Sequence, residues 1–321
     1  MSSKRSGGRS AGALRLGIAL LSGGRALGTR ADRRRAAAMA DRLYPGLLTV
    51  VGGRTLFPQT TGSEICFSVA DDPDAVVRLR TDASTHAPDF ALVEALTLGR
   101  AEADGLRALR STFEDAGLPV VGLRTSLGDP WVAAQLTDDT VTAALERIGV
   151  SAREWARHRE SFAPRGAGHL SLSVRVVNPA VAEHLPDAGP DLPTVMRLSH
   201  PELLAALGAH RHVVATYPVH DGIADTSAAT VYLSRSREDA EIFGRKVRDA
   251  AAEWLRTAAP GAVVGTTANV WRLEPGRVDR ITGHVRFTYD AAADAHGRRF
   301  DHVVAVVADP DGDRVSDFRI V

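Results

Sequence analysis

The stretch from Ser236 to Val321 most constrains what this sequence can fold into, because it reads as one long amphipathic helix followed by strands. After Ser236, Phe243, Val247, Ala250, Ala251, Trp254 and Leu255 recur at helical spacing on one face, while Arg245, Arg248, Asp249 and Glu253 take the other. Pro260-Gly261 stops the helix, and residues 263–273, 277–289, 302–308 and 315–321 read as strands. A helix with one apolar stripe and strands with one apolar face must bury those surfaces against each other. The expected class is therefore α+β, with the helix packed on one face of an antiparallel sheet.

The first half runs in a similar order. Residues 36–43 read as a short helix ended by Tyr44-Pro45-Gly46, and strands are expected at Leu47 to Val51, Glu64 to Val69 and Ala75 to Arg80. Leu92, Val93, Leu96, Leu106, Leu109 and Phe113 then predict a long helix from Phe90 to Ala116, weakened at Gly99 and Gly105. A hairpin of Val120 to Thr125 with Trp131 to Leu136 follows, then a helix over Asp139 to Ile148, a second opened by Ser151 with Glu154, and a strand over His169 to Val177. The expectation is two similar-order units, each an antiparallel sheet with a long helix on one face.

Asn178 to Pro193 carries four prolines and Gly189, the composition of an exposed linker. The expected organisation is a basic tail over 1–35, an α+β domain over 36–177, a Pro-rich linker over 178–193 and a second α+β domain over 194–321. The second domain opens with a helix capped by Ser199 and Glu202 and stopped by Gly208, then strands at His212 to Tyr217 and Thr230 to Leu233. Strict strand–helix–strand alternation is absent, which disfavours a doubly wound nucleotide-binding fold.

Of the 321 residues 44% are hydrophobic, yet no apolar run approaches the roughly 18 that a spanning helix requires. The formal net charge of zero is uneven: residues 1–35 hold nine Lys or Arg against Asp32 alone, leaving 30 basic and 38 acidic residues beyond. Such a tail suits an anionic partner, a membrane surface or nucleic acid, through attractions that salt weakens. Arginine is spread over the whole chain, however, and aromatics amount to 5%, so no specific nucleic-acid motif emerges. Lys4, Arg5 and Arg9 followed by Leu16 to Leu21 resemble a degenerate export signal, but Arg15 interrupts the apolar part. The expected location is cytoplasmic, with peripheral membrane attachment or export as alternatives.

Cys66 is the only cysteine, which excludes an intramolecular disulfide and any Cys-rich zinc or iron–sulfur centre. The densest chemical cluster is His210-Arg211-His212 with His220-Asp221. His210 and His212 would share one face of a strand, and His220, Asp221 or a residue elsewhere could add a third ligand for zinc, the ingredients of a metal-dependent hydrolase. Asp309-Pro310-Asp311-Gly312-Asp313 has calcium-loop oxygen density with the glycine at the wrong position, which a hairpin turn explains. Gly23 to Thr29 lacks the lysine of a phosphate loop. His284, Arg286 and Thr288 alternate with Val285, Phe287 and Tyr289 and would give a sheet a polar, ligand-facing surface. With no cofactor motif, the expectation is a non-catalytic binding or scaffolding protein with His284, Arg286 and Thr288 at its ligand face. The histidine hydrolase and an anionic-surface binder working through the tail are the alternatives.

Overall fold

A computed structural model describes residues 30–56, 62–81, 87–124, 129–162, 171–289 and 302–321. The fold mixes helices with antiparallel and mixed sheets and has two compact units, one running to Asp104 and including Asp191–Met196, the other comprising Gly105–Pro190 and Arg197–Val321. The segments expected at residues 1–29, and with them the phosphate-loop resemblance at Gly23 to Thr29 and the export-signal resemblance, lie outside the described residues.

The smaller unit opens with helix α1 over 30–43, so Arg33, Arg34 and Arg35, expected in a tail, stand on a helix. Asp32 is buried there, accepting a hydrogen bond from the Ser63 hydroxyl at 2.7 Å and pairing with Arg35. Three antiparallel strands follow, β1 (Leu48–Thr55), β2 (Ser63–Val69) and β3 (Asp72–Thr81), in the order β1-β2-β3. Their alternation delivers Ile65, Phe67, Val77 and Leu79 to a core shared with Ala36 and Ala40 of α1 and with Leu92, Leu96 and Ala103. Those last three belong to helix α2 (Asp89–Glu114), which continues unbroken through Gly99 and Gly105. Gly99 lies so close to β3 that a Cβ there would sit 2.5 Å from the Val76 carbonyl oxygen. The glycine expected to weaken the helix is instead what allows it to approach the sheet. Cys66 is buried in β2, and desolvation pushes its thiol up.

The larger unit is built on an eleven-stranded sheet. Its strands are β4 (Val120–Leu123), β5 (Pro130–Ala133), β6 (Ser171–Val177), β7 (His212–His220), β8 (Ile223–Ala224), β9 (Thr230–Ser234), β10 (Val263–Thr267), β11 (Trp271–Leu273), β12 (Ile281–Thr288), β13 (His302–Ala308) and β14 (Val315–Ile320). The order is β14-β13-β12-β11-β9-β7-β6-β5-β4, with β10 on β12 and β8 on β7. Every pair is antiparallel except β5 with β6. Strands from both expected halves thus share one sheet, and the expected pair of similar units is replaced by a three-stranded and an eleven-stranded one. The 178–193 segment connects β6 to β7, which pair directly; it contains the short helix α4 (Pro179–Ala182), and Ala188 is buried against Trp131 and Leu207. Backbone pairing between β6 and β7, invisible in the composition of the Pro-rich stretch, accompanies a segment whose residues 178–190 belong to the larger unit and whose Asp191–Pro193 belong to the smaller one.

Helix α3 (Val141–Phe162) is continuous where two helices were expected, and Ser151 lies in its middle, its hydroxyl donating to the Thr112 carbonyl at 3.2 Å. The short helices α5 (Thr194–Leu198) and α6 (Pro201–Ala209) precede β7; α6 is capped by His200 rather than Ser199, its Nδ1 accepting the Glu202 amide at 3.4 Å. Helix α7 (Arg237–Ala258) forms as its pattern requires, with the Ser236 hydroxyl accepting the Asp239 amide at 3.1 Å and Glu238 and Asp239 in the positive first turn. Its Phe243, Val247, Ala251 and Leu255 pack on Trp271, Ile281, Val285 and Phe287. Among the described residues no helix is long and apolar enough to cross a membrane.

Candidate functional site

Strand register assigns each side chain of the large sheet to a face. Ser173, Thr216 and Thr230 stand in one cross-strand row, and Tyr232, Arg272 and Thr282 in the next. His284 stands beside Ala305 on that same face. The opposite face carries Tyr217, Val231, Leu233, Trp271 and Leu273 and meets α3 and α7. Strands β9 and β11 pair only through Leu233–Trp271 and Tyr232–Arg272, so the two strands part beyond Val231 and Leu273.

At this parting a cleft of about 740 Å³ opens beside α3. Thr142, Leu145, Glu146, Gly149, Val150 and Arg153 line it, spaced three and four apart as one helical stripe. Tyr217, Val231, Leu273 and the Glu274-Pro275-Gly276 turn form the facing wall. Gly149 lets α3 approach the 225–229 loop, since a Cβ there would lie 3.3 Å from the Thr226 methyl, and Arg153 donates to the Thr226 hydroxyl. The loop is further closed by Asp225, which accepts from the Ser227 hydroxyl at 2.6 Å and from the Ser227 and Ala228 amides, contacts that hold its carboxyl below the usual range. Burial pushes the Tyr217 phenol up, so it remains a neutral O–H at the cleft wall. Glu274 is already engaged, accepting from Arg280 Nε at 2.8 Å, whereas Arg272 has no ion-pair partner among the described residues.

A second cleft of about 720 Å³ lies on the other face, lined by Thr216, Tyr232, Thr282 and His284, and shares Thr230 and Arg272 with the first. Of the three residues expected at the ligand face, His284 lines this cleft. Arg286 is exposed on the same face but does not line it, and Thr288 is buried, 4% exposed, opposite Val263 of β10. A period-two pattern cannot reveal that a further strand covers the end of β12, which is why Thr288 reads as wet and is not.

The expected histidine cluster does not assemble. His212 and His220 occupy opposite ends of β7, eight residues and roughly 26 Å apart, too far to share an ion. His210 is the exposed C-cap of α6, and Asp221 with Gly222 forms a two-residue turn with φ of 49° and 72° between β7 and β8. Among the described residues no three of His, Cys, Asp and Glu gather as a metal site would need. The Asp309 to Asp313 run is a hairpin turn: the Gly312 amide donates to the Asp309 carbonyl at 3.1 Å, and Arg211 and Lys246 pair with Asp311 and Asp313.

His212 has a structural role instead. It is 6% exposed, its ring centroid lies 4.5 Å from that of Trp131, and its Nδ1–H donates to the His210 carbonyl at 2.9 Å. Arg175 completes the stack, 5.5 Å over the same indole. Burial, and to a lesser extent the Arg175 charge, lower the His212 pKa from its ordinary 6.5. Below about pH 6.5 the unfolded chain therefore binds a proton that the native chain refuses, and stability falls until the depressed native value is reached. Denaturant midpoints taken between about pH 7 and pH 5 are expected to drop less in His212→Phe than in the parent chain; equal slopes would remove His212 from the acid response. Sequence reading missed this stack because Trp131, Arg175 and His212 lie on three different strands, and only their register aligns them.

Compared with known proteins, the chain matches no family model, no curated protein and no solved structure.

Proposed function

We propose that this chain is a non-catalytic binding protein whose larger unit takes a small molecule in the cleft beside α3. The observation that carries this reading is the cleft itself: about 740 Å³, within the range of drug-sized ligand sites, with apolar walls and a few placed polar groups. Support for binding over catalysis comes from the chemistry of its lining. Among its described lining residues there is no histidine, serine or cysteine; the Tyr217 proton is held by burial; and the Glu274 carboxylate is committed to Arg280. The His284 cleft on the other face, joined to the first through Arg272, keeps the face expected from sequence as an adjoining surface.

The test uses an environment-sensitive apolar dye, anilinonaphthalene sulfonate, titrated into the full chain. One saturable site is expected, and Leu145→Trp, which fills the cleft from α3, is expected to weaken dye binding about tenfold or more, since the ring excludes the ligand from the apolar wall. Undiminished dye binding by a folded Leu145→Trp chain would sink the assignment of the site.

A further inference from the structure

Resting on that reading, we infer that the cleft beside α3 takes an amphipathic monocarboxylate, its apolar body along the Leu145–Val150 face and its carboxylate on Arg272 and Arg153. Four charged residues line the cleft: Glu146, Arg153 and Glu274, and Arg272 at the parting of β9 and β11, where the clefts of the two faces share it. Glu274 is neutralised by Arg280 at 2.8 Å, and Arg280 is itself anchored to Asp317 at 2.9 Å, so this carboxylate is not available to a ligand. Arg153 donates to the uncharged Thr226 hydroxyl through one of its five N–H donors. Arg272 is exposed and makes no ion pair among the described residues. Two guanidinium groups thus stand against one uncommitted carboxylate, Glu146.

A guanidinium presents a planar fork of N–H donors that fits a carboxylate in a two-bond geometry, which an alcohol or a cation cannot reproduce. Glu146 also limits the ligand. A second negative charge would meet it on the α3 wall, so a single carboxylate is favoured over a dianion such as a phosphate monoester. The body of the ligand is set by the walls: from Thr142 to Arg153 the helical stripe spans about 16 Å, and Val150 within it is 62% exposed, an apolar side chain that a bound alkyl chain would cover.

The experiment titrates the full chain with decanoate, decanol and decyltrimethylammonium by calorimetry, and repeats the series on Arg272→Gln, Arg153→Gln and Leu145→Trp. Decanoate is expected to bind about tenfold tighter than decanol, the increment of one charge-assisted contact, with the cation weakest. Arg272→Gln and Arg153→Gln are each expected to lower the ratio of decanoate to decanol affinity several-fold, both affinities being read in the same variant. Decanol or the cation binding as tightly as decanoate overturns the monocarboxylate assignment and leaves the cleft intact as a binding site. A preference for decanoate that survives both arginine substitutions overturns it too. If none of the three binds, the reading of the cleft as a ligand site fails with it; binding that Leu145→Trp does not weaken places the ligand elsewhere and has the same consequence.

Discussion

Replacing Trp271 by alanine is expected to destabilise the larger unit by about 3–5 kcal/mol. The indole is 5% exposed, meets Phe243 edge-on at a centroid distance of 4.9 Å and donates through Nε1 to the Ala268 carbonyl at 3.0 Å. It also lies flat on the backbone of the neighbouring strand: a Cβ at Gly283 would come within 2.6 Å of the ring. Removing the indole leaves a cavity in the core between α7 and the sheet and an unpaired carbonyl at the break between β10 and β11. All four tryptophans of the chain, Trp131, Trp155, Trp254 and Trp271, belong to this unit, so the fluorescence of the remaining three reports its unfolding. For a unit of roughly 200 residues, 3–5 kcal/mol lowers the midpoint by about 10 °C. A double-mutant cycle makes the contact itself testable. Gly283→Ala is expected to destabilise the parent by about 1–3 kcal/mol through overpacking, and to cost little once Trp271 is alanine. Equal effects in both backgrounds would refute the ring-on-backbone contact.

Gly99→Ala is the second test, and its interest lies in its sign. In an exposed helix interior, alanine for glycine stabilises by about 1 kcal/mol. At Gly99 the new methyl would meet the Val76 carbonyl at 2.5 Å, and that neighbour is backbone of a paired strand, which cannot rotate away. The steric term wins, and a net destabilisation of about 1–3 kcal/mol is expected. Cys66 supplies the probe: it is the only cysteine, is buried in β2 of the same unit, and becomes reactive when that unit opens. The denaturant midpoint followed by Cys66 labelling should shift down in Gly99→Ala; an upward shift would show that propensity outweighs the contact and that α2 stands off the sheet.

Local pattern carried the elements well where one physical signal spoke alone. The helix after Ser236, the strand at 302–308 and the three strands of the smaller unit follow from spacing and capping, because the burial of alternate or every third and fourth residue is written along a single segment. Where two local signals compete, packing decides between them. Ser151 with Glu154 has the form of a helix start, yet the apolar stripe through Ile148, Ala152 and Trp155 continues across it, and packing kept α3 whole. Ser199 and His200 both precede α6, and the imidazole took the capping position. Asp221 counts toward a metal cluster by its chemistry, yet Asp221-Gly222 has the composition of the tight hairpin turn it forms.

The sequence by itself determined the α+β class, most of the strands and long helices and the polarity of the sheet face around His284, since each depends on residues near one another in the chain. Beyond the local hairpin of β4 with β5, the tertiary structure decided which strands pair, and with that everything that resembles a site. The joining of β4–β6 to β7–β14, the parting of β9 from β11 and the cleft beside α3 all arise from contacts between residues tens to more than a hundred positions apart. Such contacts are selected by the burial of whole faces and by backbone hydrogen bonding between strands, and neither leaves a periodic mark in any one stretch of sequence.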